Sequence, residues 1–509
     1  MADKEINMDH FDVVIIGAGV SGIGAAVHLK TMCPGKSFAI LDGRDAIGGT
    51  WDIFRYPGIR SDSDMHTFGF RFKPWKDAKA IADGPAIKDY LEETANEYDI
   101  KKHIHFQHLL KSADWSSDTT TWTLTISKGN GEETTSLSCN FLFMCSGYYS
   151  YKKAYTPDFP DQAAFQGQVV HPQFWPENLN YTDKKVVVIG SGATAMTIVP
   201  NMAKEGAEVT MLQRSPTYVV SRPARDAIAN GLRKIFPEKL AYAITRFKNI
   251  QLQRFFYGRT RKDPARVKEK LLHMVRKALG DDIVKEHFTP RYNPWDERLC
   301  LIPDGDLFKM INEGKARVVT AEIDCFTEKG IKLKNGDELT ADIIVTATGL
   351  ELVVLGEADF CVDGSPVNFA DTWTYKGMMF SGVPNMVQTF GYINASWTLR
   401  ADLTSEYVCR LLNHMEHVGA KEARPQLRDG DKSMAASPWI EDFSPGYMKR
   451  VMHLFPKQGD KDPWRNTQNY LLDKKLIRHG NIDDGVLVFS NATTKSGNHG
   501  KEAQAVAAS

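Results

Sequence analysis

Phe11-Asp-Val-Val-Ile-Ile16 runs directly into Gly17-Ala-Gly19-Val-Ser-Gly22, and an Ala-rich stretch from Ile23 to Leu29 follows. The apolar run predicts a buried strand, the glycines a tight turn and the alanines a helix. In that setting G-x-G-x-x-G has a physical reading. Gly17 permits the turn. Gly19 lets backbone N–H groups approach a pyrophosphate, and the helix N-terminus favours the anion. Gly22 lets the helix close on the strand. A second apolar strand, Phe38-Ala-Ile-Leu41, ends in Asp42, twenty residues after Gly22. A carboxylate there accepts hydrogen bonds from both ribose hydroxyls. The chain thus opens on a β-α-β dinucleotide unit.

The pattern returns once. Lys185-Val-Val-Val-Ile189 leads into Gly190-Ser-Gly192-Ala-Thr-Ala195, a G-x-G-x-x-A loop opening another helix. The next strand, Glu208 to Leu212, ends in Gln213-Arg214-Ser215 instead of an acid. An acid would repel a 2′-phosphate, whereas Arg214 beside the Ser215 hydroxyl accommodates one. The second nucleotide is therefore expected to be NADPH. The fold class that follows is α/β, with two dinucleotide-binding (Rossmann-like) domains.

Composition narrows the function. A chain of 509 residues suggests two or three domains. Lys plus Arg and Asp plus Glu are each 63, which argues against nucleic acid as the main partner. The seven cysteines include no C-x-x-C, which fits a reducing, cytoplasmic setting. No apolar run approaches the ~20 residues of a membrane span, and MADKEINMDHFD has no apolar signal core. No His, Cys, Asp or Glu cluster has metal-ligand spacing, so no metal is expected.

Gly48-Gly49-Thr50-Trp51 and the following segment to Tyr56-Pro57-Gly58 and Asp62 allow close backbone approach to a flat ligand, with aromatic surface at hand. On residue chemistry alone this reads first as an ordinary loop with core aromatics. A further stretch, Phe165-Gln-Gly167-Gln-Val-Val-His171-Pro-Gln-Phe-Trp175-Pro176, lies before the second loop. Its pattern, F-x-G-x-x-x-H-x-x-x-W-P, resembles the fingerprint of type I Baeyer–Villiger monooxygenases, the class B flavoprotein monooxygenases. G-G-x-W-x-x-x-x-Y-P-G-x-x-x-D resembles a second motif of the same family, one that lines the flavin. The resemblance runs from Phe11 to about Phe489. Within the family it points to the branch of the ethionamide-activating monooxygenase and the AlmA-type long-chain alkane monooxygenases.

The resemblance implies that the first nucleotide is FAD, held in part by Gly49, Thr50, Trp51, Tyr56 and Asp62. It implies that NADPH and O2 are consumed to turn aliphatic ketones, long-chain ones among them, into esters or lactones through a C4a-peroxyflavin. Sulfides and thiocarbonyls are open to the same oxidant. Keeping such a peroxide deprotonated calls for a fixed cation. Tyr292-Asn-Pro-Trp-Asp-Glu-Arg298 resembles the segment that carries the family's active-site arginine, which makes Arg298 the candidate and Asp62 the acid that holds it. Many relatives place Lys before that arginine where this chain has Glu297, which puts the strength of the NADPH preference in question. His171 and Trp175 read as parts of a linker that orients the two halves, not as catalysts.

The implied division is residues 1–150 and 379–490 for FAD, 151–220 and 291–378 for NADP, a helical insert at 221–290 and a disordered tail at 491–509. Ala347-Thr-Gly349, after a strand, is a further feature of this flavoprotein group. Asn394 reads as the N-cap of a helix with Trp397, Ala401, Val408, Leu411, Leu412 and Met415 on one face, its N-terminus toward the flavin N1–C2=O edge. In the insert, Val267, Leu271, Met274, Val275, Ala278 and Leu279 read as one buried helix face. The insert is basic, with Phe255, Phe256 and Tyr257 nearby. A solvated helical subdomain is the first reading and peripheral contact with an anionic membrane the second. The chain is expected to be a monomer or a weak homo-oligomer. Rival functions are an N- or S-hydroxylating or alkane-hydroxylating flavin monooxygenase, and a nucleotide-binding redox protein without turnover. A disulfide reductase would need a cysteine pair that is absent.

Overall fold

The computed structural model describes residues 10–129, 131, 133–297, 299–441 and 445–492. The expected disordered tail lies, but for its first two residues, outside the described residues. The first sheet is built on β1 (His10–Ile16), which pairs in parallel with β2 (Phe38–Leu41) and with β6 (Glu133–Met144). Helix α1 (Val20–Met32) makes the β1–β2 crossover. β3 (Ile104–His105) extends the sheet beyond β2. β4 (His108–Ser116) and β5 (Thr121–Lys128) form an antiparallel meander with β6 on the other side. Short helices α2 (Thr50–Ile53) and α3 (Met65–Phe68) and the longer α4 (Gly84–Glu97) follow β2.

The second sheet is wholly parallel, in the order Ala316–Thr320, Glu208–Gln213, Lys185–Ile189, Ile343–Thr346, Gln168–Val170. Its strands are almost continuously apolar, as expected of a sheet covered on both faces. Helix α5 (Ala193–Lys204) follows the Lys185–Ile189 strand. Helices α6 (Ala227–Ile235), α7 (Glu238–Lys262), α8 (Pro264–Leu279) and α9 (Asp281–His287) form the insert, and α10 (Asp306–Asn312) packs on α5. A parallel pair, Tyr218–Arg222 with Leu299–Pro303, brackets the insert. Helix α11 (Trp397–Val418) lies on α1. Among the described residues no helix is long and apolar enough to cross a membrane.

Two expectations are corrected. The chain returns to the first sheet before residue 379: Asp359–Val362 pairs with β4 and Ser365–Pro366 extends it. Phe360 enters the cluster around Trp115 and Trp122, a long-range aromatic contact with no local signature. In α8, Met274 is 50% exposed. Leu271, Val275 and Leu279 of that face are buried, and Leu272, outside it, takes the place of Met274 because it joins the core of the second sheet.

Candidate active site

The two glycine loops are shaped by contacts that tolerate no side chain. Gly17 has φ +109°, and a Cβ there would meet the Cys145 carbonyl oxygen at 2.5 Å. A Cβ on Gly22 would lie 1.8 Å from the Gly17 oxygen. Gly190 repeats the first case, at φ +138° and 2.3 Å from the Ala347 oxygen. That contact gives the Ala347-Thr-Gly349 turn a role in shaping the second loop. Gly49, itself at φ +55°, packs its backbone on Gly19 and so brings the Gly48-Gly49-Thr50-Trp51 segment onto the first loop. Ala195 is fully buried under the second loop.

Both loops fit an anionic dinucleotide. Gly19 and Gly192 cap α1 and α5 without a side chain, and neither first turn carries an acid among the described residues. The first-turn N–H groups are left for an anion. Asp42 is buried at the end of β2, where its carboxylate accepts the Ala18 N–H at 2.6 Å and the Arg44 N–H at 2.8 Å. Two of its roughly four lone-pair positions remain for hydroxyl donors. Burial raises its pKa, against the pull of those two N–H groups.

Thr50 opens α2 at the surface, and Trp51 is half-buried, edge-on to Phe68. Asp52 is buried below them and faces Arg44 at 2.5 Å and Lys88 of α4 at 2.7 Å. Burial alone would raise its pKa, but the two cations hold it below the usual carboxylate range.

Tyr56 joins the two halves. Its side chain is buried, its hydroxyl bonds Thr194 of the second loop, and burial pushes its pKa up to about 12. Gly58 lies so close to α5 that a Cβ would meet the Asn201 amide at 2.0 Å. Arg60 pairs with Asp306 of α10 at 2.5 Å. Sequence reasoning singled out Tyr56 but missed Thr194, Asn201, Arg60 and Asp306, since nothing in their local patterns marks a seam. Asp62 follows at the surface, near enough for its charge to oppose ionisation of Tyr56.

Arg298 lies outside the described residues. The strand beginning at Leu299 rests on the second loop, with the Cys300 thiol 3.9 Å from the Ser191 carbonyl. Upstream, Trp295 meets Tyr257 of α7 edge-on, and Asp296 pairs with Arg261 at 3.0 Å. Arg214 and Ser215 are exposed at the strand end beside the same loop, where the Ser191 hydroxyl donates to the Ser215 carbonyl.

The His171 ring is fixed at both nitrogens. Nδ1 accepts the Gln173 N–H at 3.1 Å, so Nε2 carries the proton and donates to the Gly349 carbonyl at 3.3 Å. Burial lowers its pKa, against the pull of its backbone hydrogen bonds. These bonds tie the linker to the second sheet.

Asn394 is not the N-cap of α11. The helix begins at Trp397 with Ser396 before it, and the Asn394 amide donates to the Gln468 carbonyl at 3.0 Å. The segment 466–470 thus competes for the side chain that sequence reading gave to the cap. The α11 N-terminus does lie at the first loop, with the Trp397 indole donating to the Ser21 hydroxyl at 2.8 Å. Of the helix face expected to be apolar, Ala401, Val408, Leu411, Leu412 and Met415 are buried.

Two glycine-capped helices, one on each sheet, with Tyr56 bonded to Thr194 between the halves, form the frame of a two-dinucleotide fold. A family model of flavin-binding monooxygenase-like proteins matches residues 11–353. The chain belongs to that family and is a flavin monooxygenase. It is 52% identical over 484 residues to the FAD-containing monooxygenase EthA of Mycobacterium tuberculosis, covering 95% of this chain and 98% of that protein. It is 49% identical over 486 residues to the probable FAD-binding monooxygenase AlmA of Acinetobacter baylyi, covering 95% and 97%. In fold it is similar to an oxidized steroid monooxygenase bound to NADP, with a TM-score of 0.74, 20% identity and coverage of 95% and 100%. It is likewise similar to OTEMO in complex with FAD and NADP, with a TM-score of 0.67, 22% identity and coverage of 82% and 88%.

Proposed function

We propose that this chain is an NADPH- and O2-dependent Baeyer–Villiger monooxygenase that converts aliphatic ketones to esters or lactones and also accepts sulfides. The seam at Tyr56 and Thr194 carries the reading, because it sets the flavin motif against the loop assigned to NADPH. When bound, the flavin activates O2 and the nicotinamide supplies the hydride. Gly19 and Gly192 present helix N-termini to the two pyrophosphates, and Asp42 accepts from the flavin-side ribose. Gly49 and Trp51 border the flat ring system. Arg298 is assigned as the fixed cation at the reacting oxygen, with Asp62 as the acid that orients it. Residues 1–150, with the return from Asp359 onward, hold the flavin on this reading.

Arg214 and Ser215 are assigned to the 2′-phosphate. Arg214→Ala is expected to raise the KM for NADPH roughly ten- to a hundredfold, the value of a charge-assisted contact, while leaving that for NADH unchanged. Equal changes for both cofactors would remove Arg214 from the site.

The reading is tested by product analysis. FAD-loaded protein with NADPH, air and linear methyl ketones of increasing length is expected to yield esters one oxygen heavier than the ketone. NADPH consumption that gives only hydrogen peroxide with ketones, but sulfoxides with sulfides, would refute ester formation. Absence of NADPH oxidation with every carbonyl and sulfide would favour a protein without turnover.

A further inference from the structure

We propose that the outward face of the α6–α7 hairpin docks on an anionic lipid bilayer. Nine of the fifteen large apolar side chains left exposed among the described residues fall between Ile228 and Phe256. They are arranged in stripes. Leu240, Ile244, Phe247 and Phe255 share one face of α7, and Ile228 and Ile235 share one face of α6, by helical spacing. Phe247 and Phe255 are each 65% exposed and Ile235 is 75% exposed.

The opposite faces are fastened, which holds the stripes outward. On α7, Tyr242 donates to the Phe70 carbonyl, Arg246 to the Gly69 carbonyl and Asn249 to Asp64. On α6, Asn230 and Arg233 donate to carbonyls at Ala78 and Asp77. The two helices are pinned together by Asp226 and Lys248 at 2.8 Å. A helix that faced only water would gain nothing from such a stripe, and clustered apolar exposure marks an interaction surface.

Charge selects the occupant. Between Arg222 and Lys262 there are eleven lysines and arginines and two acids, in a chain whose total charge is zero. A second copy of this face would bring like charge onto like. An anionic bilayer takes both the cations and the apolar stripe. Beside Phe247 and Lys239 opens a cleft of about 470 Å³, walled also by Arg71, Lys474 and Arg478. Glu406 pairs with Arg71 and Arg478 there, and the remaining positive charge suits a lipid phosphate.

The inner face of α7 reaches the candidate site: Asn249 and Gln253 bond Asp64, and Tyr257 meets Trp295. If the oxygenation reading holds, and only for this last step, docking brings the candidate site near carbonyl compounds dissolved in the membrane.

Flotation of the FAD-loaded full chain with vesicles tests the proposal without any turnover. Binding to phosphatidylcholine–phosphatidylglycerol vesicles is expected to be at least about tenfold tighter than to phosphatidylcholine alone, and to weaken in high salt. The pair Phe247→Ser and Phe255→Ser, and separately the pair Lys234→Glu and Lys239→Glu, are each expected to weaken it about tenfold or more, with melting temperature unchanged. Absence of binding, equal binding to both vesicles, or binding that survives both pairs would overturn the proposal. So would a concentration-dependent dimer dissolved by the phenylalanine pair, which would give the face to a second copy. Ester formation from soluble ketones is measured without vesicles, so failure of either reading is seen separately.

Discussion

Gly22→Ala is expected to yield a chain that has lost its FAD and melts well below the parent. The added carbon would lie 1.8 Å from the Gly17 oxygen, 3.0 Å from the Gly17 carbonyl carbon and 3.4 Å from Ile15 Cγ2. The first two are backbone atoms and cannot swing aside. The turn also has little room behind it, because the Cys145 carbonyl lies 2.5 Å from where a Gly17 Cβ would be. Helix α1 must therefore lift off β1 and carry its first-turn N–H groups with it. That helix is buried from Ser21 to Leu29 and is tied to α11 through Ser21 and Trp397. Overpacking of this kind costs about 1–3 kcal/mol, and a rigid backbone contact belongs at the upper end. Gly192→Ala is the control. It sits at the second position of the other loop, at φ −83°, where a Cβ meets nothing within 4 Å among the described residues. It is expected to fold with an unchanged melting temperature and retain FAD, its effect confined to NADPH binding. Flavin absorbance per protein after gel filtration, with thermal melts, reads both variants. Full FAD content in Gly22→Ala would take the first loop away from the flavin.

The contrast between those glycines indicates what a sequence makes legible. A strand, a turn and a helix in direct succession constrain one another within a dozen residues, so G-x-G-x-x-G after an apolar run carries its own geometry. The acid after β2 and its absence at Gln213-Arg214-Ser215 are readable for the same reason. Contacts between distant segments leave no such period. Tyr56 finds Thr194, Gly58 finds Asn201 and Arg60 finds Asp306 only once both sheets exist. The α11 cap fails for a related cause. Asn-Ala-Ser offers two good capping residues, and the choice is made by Gln468, whose carbonyl takes the Asn394 amide. In α8, a 3.6-residue period finds the buried side to within one position, but Leu272 displaces Met274 because of what lies opposite. The Phe360 strand returns early through an aromatic cluster that no turn signal announces.

Residues 456–473 are the extreme case, since they carry no derivable motif yet supply Asp473 to a buried polar cluster. Asp473 is 3% exposed at its side chain and receives only donors: the Arg400 guanidinium, the Tyr392 hydroxyl at 2.7 Å and the Thr467 hydroxyl at 2.6 Å. Arg400, 2% exposed, also donates to the Lys376 carbonyl. Asp473→Asn keeps the volume but turns an amide donor toward these donors and leaves a buried guanidinium without its counter-charge. The expected loss is about 3–5 kcal/mol, a large share of the roughly 5–15 kcal/mol that holds a typical protein folded. Arg400→Met is expected to cost a similar amount by stranding the carboxylate. Joining Arg400→Met with Asp473→Leu removes both charges, so the double variant should lose less than the two single losses added, by about 2 kcal/mol or more. The hydroxyls of Tyr392 and Thr467 would still lack an acceptor, so recovery falls short of the parent. Urea unfolding of the parent, Arg400→Met, Asp473→Leu and the double variant reads the cycle, with Asp473→Asn measured beside it. Strictly additive losses would mean that Arg400 and Asp473 are held independently, and that the segment 456–473 is anchored to α11 by packing instead of by this buried pair.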